Sequence, residues 1–145
     1  DLADCVEVGR ACIDPEYRTG AVLGLLWSNL AAYLRTRGFS YAFGCASIPV
    51  TGEPASVARL CSDLLSRHQA PGEWRVRPRR PFDLATTEGT APAPPPVLLR
   101  GYLAMGSYVC GPPAWDPDFG TADLLILLPI NRLSERYARR LLRAA

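Results

Sequence analysis

The apolar pattern changes period twice within the first third of the chain, and no other feature constrains the fold as strongly. From residue 5 to residue 13 (CVEVGRACI) the side chains alternate. Cys5, Glu7 and Gly9 fall on one side and Val6, Val8 and Arg10 on the other, which is the period-two pattern of a strand. Residues 14–20 (DPEYRTG) then turn, because Asp-Pro favours turn initiation and Gly20 allows tight backbone. From about residue 19 to residue 37 the apolar positions Leu23, Leu26, Leu30, Tyr33 and Leu34 recur at helical spacing, and Gly38 is a helix stop. Residues 41–46 form a second strand. A strand, a helix and a strand in this order make a βαβ unit whose two strands are parallel neighbours.

The remaining chain continues as mixed α/β. The spacing predicts a helix over 55–67, a strand over 73–77 and a helix over 97–105 that the Gly-Pro-Pro run at 111–113 breaks. It also predicts a buried strand over 122–128 and a last helix over 131–143, with Asn131 as its N-cap. Residues 78–96 hold six prolines and are expected to form a long surface loop. No internal repeat is visible. At 145 residues the chain fits one domain, spanning 1–145, and a domain of this size buries roughly 70% of its unfolded surface.

Composition removes several function classes. Net charge is only +2, so there is no polycationic footprint for nucleic acid. All sixteen basic residues are arginine, which looks like coding bias and is weak evidence for phosphate recognition. Five widely spaced cysteines (Cys5, Cys12, Cys45, Cys61, Cys110) and one histidine (His68) give no metal-binding spacing, so no metal is expected. The thiols are expected to be reduced and buried. No apolar run reaches the ~20 residues that a membrane span needs.

Four places can carry chemistry. At residues 18–22 (Arg18, Thr19, Gly20, Ala21, Val22) the helix starts, and its unsatisfied N–H groups can hold a phosphate. The competing reading is a plain turn. Glu7 puts a carboxylate on a central strand, in an ion pair with Arg10 or another arginine, as a general base for an attacking amine, or as both. The run 115–123 (WDPDFGTAD) offers three carboxylates, as a polar turn or as a receptor for a cationic amine. Finally, Arg75, Arg77 and Arg79 share one face beside Trp74, a solvated edge or a docking patch for an acidic partner.

As an ordered set, EVGRACIDPEYRTGAVLGLLWSNLAAYL, YAFGCASIP and LLRGYLAMGSYVCGPPAWDPDFGTADLLILLPINRLSERYARR resemble the ornithine-acyl carrier protein N-acyltransferases. These hemolysin-like bacterial acetyltransferases are similar in fold to acyl-homoserine-lactone synthases. The resemblance covers nearly all of the chain outside the proline-rich loop. It implies a GNAT acyltransferase fold, a mixed sheet flanked by helices, in which Glu7 lies on the fourth strand and residues 41–46 form the fifth. Those two strands splay to admit the donor's pantetheine arm.

The resemblance further implies transfer of a 3-hydroxyacyl chain from acyl carrier protein to the amine of ornithine, giving a lyso-ornithine lipid. Other amine acceptors and a non-catalytic acyl-carrier or lipid-surface binding module are the alternatives. No cofactor is held permanently; the phosphopantetheine arm of the carrier protein is the donor. Glu7 and Arg10 (from the E-x-G-R motif) would be catalytic, residues 18–22 would bind the phosphodiester, and Asp118 and Asp123 would meet the acceptor's ammonium groups. The phosphate loop departs from the usual GNAT Q/R-x-x-G-x-G/A, since Ala21 and Val22 follow Gly20. The helix over 55–67 lacks the tyrosine that serves many GNAT enzymes as general acid. A cytoplasmic protein with peripheral contact on the inner membrane face is expected, through residues 97–109 or the last helix. The chain starts at Asp1 without Met, and the strands that precede the fourth strand of a GNAT fold are absent from it. It is therefore expected to be a fragment, inactive or poorly soluble alone.

Overall fold

The computed structural model describes residues 4–85 and 89–132. In chain order its elements are β1 (Cys5–Glu7), α1 (Gly20–Thr36), β2 (Tyr41–Pro49), α2 (Pro54–His68), α3 (Val97–Ala104), β3 (Tyr108–Val109), β4 (Ala114–Asp116) and β5 (Thr121–Pro129). Short 3-10 turns lie at Pro15–Tyr17, Gly72–Trp74 and Ile130–Arg132. The sheet runs β1-β2-β5-β3, and β4 also pairs with β5. β1 is parallel to β2 while every pairing with β5 is antiparallel. The α/β class and the parallel βαβ unit are as the periodicity predicts, and the mixed sheet with its helices is as the resemblance implies.

Local chemistry sets the helix limits. The Thr19 side chain caps α1 by accepting from Val22 N–H at 3.3 Å, and Gly38 leaves the helix at a φ of 74°, a left-handed conformation that suits glycine. Pro54 opens α2, where its missing N–H costs nothing.

The nine-residue ladder between β2 and β5 aligns Ala42 with Leu128, Ala46 with Leu124 and Ile48 with Ala122 on one face. There, Ala46, Ile48, Ala122, Leu124 and Ile126 pack against Val57, Ala58, Leu60, Cys61 and Leu64 of α2 and Leu99 of α3. Leu124 is fully buried, and burial of such a side chain contributes roughly 1.5–3 kcal/mol. Farther along that face, Ala42 and Leu128 pack with Leu34 of α1, Met105 and the partly buried Val6, Val8 and Trp27. Among the described residues the opposite face is covered at one end only, where Ala70 and Trp74 close over Tyr41, Phe43 and Leu127.

Several expectations need correction. The strand over 5–13 ends at Glu7, with one further bond from Val8 N–H to Phe43 O, because Arg10 takes a φ of 55° and turns the chain away. The strand over 73–77 does not form. Val76 N–H reaches Cys110 O, but Pro78, Pro112 and Pro113 have no N–H with which to extend that single bond. Two short strands, β3 and β4, stand where none was predicted. The proline-rich run is not wholly a surface loop: Phe82 is buried, Ala93 N–H donates to Ser56 O, and Leu84 and Ala93 pack on the core. Of the thiols, only Cys61 and Cys110 are buried, while Cys12 and Cys45 are exposed. The helix expected over 131–143 lies almost wholly outside the described residues; Asn131 itself is in the last 3-10 turn.

Candidate active site

The two flanks of β2 differ in length of pairing, and the difference opens a site. Toward β1 only Tyr41, Ala42 and Phe43 have partners, against nine residues toward β5. Beyond Phe43 the strands part. At that point the Val8 carbonyl lies against Gly44, where any Cβ would overlap it, so only glycine lets the two backbones approach so closely. Phe43 O receives the Val8 N–H, so alternation along the strand turns the N–H groups of Cys45 and Ser47 to the same side. Neither N–H has a partner among the described residues. They are free donors lining the gap.

Register places Glu7, Phe43 and Leu127 in one row across the sheet face, then Cys45 and Leu125, then Ser47 and Asp123. This face is open at Glu7, Cys45 and Ser47, all exposed. Glu7 and Asp123 are close enough to Cys45 to act on its thiol. Although Cys45 reaches solvent, partial desolvation first, then the Asp123 charge and the Glu7 charge, push its thiol above its ordinary range. It therefore stays protonated at neutral pH and is a poor nucleophile. Asp123 Oδ1 accepts from Thr121 Oγ1 at 2.9 Å, which fixes its direction.

The sequence-derived candidates divide accordingly. Glu7 and Asp123 flank Cys45 on one face, two rows apart. Asp118 sits instead at the exposed tip of the β4–β5 hairpin, its N–H donating to Asp116 Oδ1 at 3.0 Å. Arg10 is exposed and, among the described residues, makes no ion pair with Glu7; Glu7 itself is not buried. Arg18 folds back, with Nε donating to Ile13 O at 3.0 Å. This pins the loop that precedes α1. Thr19 spends its side chain on the cap, while Gly20 has open space in front of it and Ala21 is exposed. The first N–H groups of a 17-residue helix thus point to solvent with the positive end of its dipole. Among the described residues no group of His, Cys, Asp and Glu is placed to hold a metal ion.

Behind the gap, on the helix side of the sheet, lies a half-open cleft whose empty space, counted out into open solvent, is about 600 Å³. Val8, Gly44 and Cys45 form its edge at the gap. Trp27, Leu30 and Leu34 of α1, Tyr102 and Met105 form its roof, and Ala42, Ile126 and Leu128 its floor. Tyr102 meets the Trp27 ring edge-on at 5.1 Å, and burial pushes its phenol above the ordinary range. Sequence reasoning missed Gly44, Cys45 and Ser107 as site residues. A glycine inside a strand was the available signal for the first; nothing local marks the others.

Comparison with known proteins points to acyltransferases. Residues 2–28 match the family model described as an acetyltransferase (GNAT) domain. Over 91% of its length the chain is 38% identical to an L-ornithine N(alpha)-acyltransferase of Brucella abortus, covering 50% of that protein. Similar relationships hold for L-ornithine N(alpha)-acyltransferases of Rhizobium meliloti, at 37% identity and 47% of its length, and of Rhodobacter capsulatus, at 32% and 53%. The chain spans about half the length of the curated relatives it matches. No solved structure matches it. The resemblance drawn from the motifs is borne out by these relatives, and the α/β class of the fold agrees with the acetyltransferase (GNAT) match over residues 2–28.

Proposed function

We propose that this chain, a relative of the L-ornithine N(alpha)-acyltransferases, carries the donor side of an N-acyltransferase that moves an acyl chain from a thioester to the amine of ornithine. The observation that carries this reading is the gap between β1 and β2, which combines free strand N–H groups, a carboxylate at its rim and a helix N-terminus beyond it. The donor is a 3-hydroxyacyl chain on acyl carrier protein, and the product is a lyso-ornithine lipid. A single phosphodiester suits the start of α1, where Gly20 and Ala21 leave room and Thr19 is already committed to the cap.

In this mechanism Glu7, or a water that it holds, accepts a proton from the substrate amine. The amine attacks the thioester carbonyl, and the carbonyl oxygen becomes an oxyanion. The N–H groups of Cys45 or Ser47 stabilise that charge without having to reorganise. The tetrahedral intermediate then collapses, the C–S bond breaks and the pantetheine sulfur leaves as thiolate. Asp123 lies two rows from Glu7 on the same open face and provides a second carboxylate for the second ammonium group of a diamino acid. Transfer passes directly from thioester to amine with no acyl-cysteine intermediate, a reading with which the raised Cys45 thiol agrees.

The test uses the full-length protein with 3-hydroxyacyl carrier protein and a panel of amines, including ornithine, glycine, lysine and glutamine. Mass spectrometry should find the ornithine amide with wild type and a loss of about 100-fold or more with Glu7→Gln. Equal product from both would remove Glu7 as base. Binding of the carrier without any product would leave only a binding module.

The amphiphilic product also suggests peripheral membrane contact. Among the described residues no helix is long and apolar enough to cross a membrane. Val97 and Leu98 are exposed at the start of α3, whereas Leu99 and Met105 are core residues. Flotation with anionic liposomes at low salt should carry the protein upward; no association would dispose of the idea.

A further inference from the structure

Four small residues are among those that line the cleft behind the gap: Ala31 of α1, Ala42 and Gly44 of β2, and Ser107 next to β3. The roof between them is apolar and includes Trp27 and Met105. Register gives the cleft a direction. Tyr108 pairs with Leu127, and Ala42 with Leu128, so Ser107 lies two strands from Ala42, roughly 10 Å away.

Ser107 carries a second observation. It is 4% exposed, and its Oγ is buried without any hydrogen-bond partner among the described residues. A hydroxyl left unpaired in a finished core is unfavourable, and native cores contain few. Here it stands on the wall of an unfilled space that begins where the thioester would react.

We propose that this cleft receives the distal part of the donor's acyl chain, which enters beside Gly44 and ends at Ser107, so that Ser107 and Ala31 set the length of chain accepted. The assignment rests on the acyltransferase reading. It commits to an acyl chain carried as a thioester, since the cleft shares Val8, Gly44 and Cys45 with the gap. Ser107 is too far across the sheet to read a substituent next to the thioester. It governs chain length, and discrimination near the carbonyl belongs to other groups.

Two measurements test this. In the full-length protein, transfer from octanoyl and palmitoyl thioesters is compared for wild type, Ser107→Leu and Ala31→Leu. Ser107→Leu fills the end of the cleft and removes the unpaired hydroxyl together, so folding is not the expected casualty; a thermal melt confirms it. Both variants should lower the palmitoyl-to-octanoyl ratio of kcat/KM by about tenfold or more. An unchanged ratio in folded variants overturns the assignment. Separately, bromine-labelled palmitate should quench Trp27 fluorescence, and the quenching should vanish in Trp27→Phe and weaken in Ser107→Leu. Quenching that survives Trp27→Phe also overturns it. The two failures are distinguishable: Trp27 quenching with no acyl transfer by wild type sinks the proposed function and leaves the cleft standing. Transfer with an unchanged length ratio and no Trp27 quenching does the reverse.

Discussion

The two flanks of β2 make different use of one strand. Its β5 flank is a complete nine-residue ladder backed by Leu124, Ile126 and Ala122, with α2 and α3 packed above. Among the described residues its β1 flank is paired over three residues and then left open, lined by an exposed carboxylate, an exposed thiol and unpaired N–H groups. A parallel pair fed by a crossover helix can part without disturbing the antiparallel ladder on the other side, because each flank uses alternate residues of β2 for its hydrogen bonds. Rigidity on one side and access on the other therefore come from the same nine residues.

If that division is right, damage to the closed flank should show in stability and damage to the open flank in chemistry. The largest effect should follow Leu124→Ala, which leaves a cavity under β2 and should cost about 2–5 kcal/mol in urea denaturation. A cost below about 1 kcal/mol would mean that the ladder side is not the core it looks to be. Next comes Gly44→Ala. The new methyl group meets the Val8 carbonyl, so the Val8–Phe43 hydrogen bond should break, at a cost of about 1–3 kcal/mol, with a loss of transfer larger than the loss of stability explains.

Alkali should separate the buried thiols from the open one. Burial pushes Cys61 up to about 12 and Cys110 up to about 11, from an ordinary 9.0. The folded state therefore favours the neutral thiols. Their contribution is complete below about pH 9 and is lost as pH rises through about 11 to 12. For Cys61 the expected slope is about 1.4 kcal/mol per pH unit above about pH 9. Denaturation curves between about pH 8 and pH 11 should show the decline, and Cys61→Ala should flatten much of it. A slope that Cys61→Ala leaves intact would assign the alkaline limb elsewhere.

The smallest effect belongs to Cys45→Ser. Partial desolvation, Asp123 and Glu7 all push its thiol above the ordinary range, and under the proposed direct transfer the rate should change by less than about threefold. Loss of about 100-fold or trapping of an acyl-cysteine would make the open flank a nucleophilic site and overturn direct transfer.

Much of the frame was legible because it depends on periodicity. The spacing of Leu23, Leu26, Leu30 and Leu34 leads to α1, and the unbroken apolar run at 122–128 leads to β5, each within about two residues of its observed limits. Short or interrupted segments were not. β3 and β4 are two and three residues long and exist only because β5 offers them an edge. The run 73–77 has strand-like alternation, but its neighbour supplies prolines where it needs donors. The carboxylates of the acidic run were equally visible in sequence; only pairing places Asp123 in the row beside Cys45 and leaves Asp118 at a hairpin tip.

The chain's order of residues, by itself, determined the βαβ unit, the identity of the carboxylate on its first strand and the kinship that the motifs carry, since all three are properties of local pattern. Tertiary structure alone decided where β1 leaves β2, that Glu7 is exposed and without Arg10 as partner, and that Ala31, Ala42, Gly44 and Ser107 line a cleft. The reason is distance along the chain. Gly44 meets Val8 and Ser107 lines the same space as Ala31 only after a sheet and a crossover helix have brought together residues that no window of sequence contains.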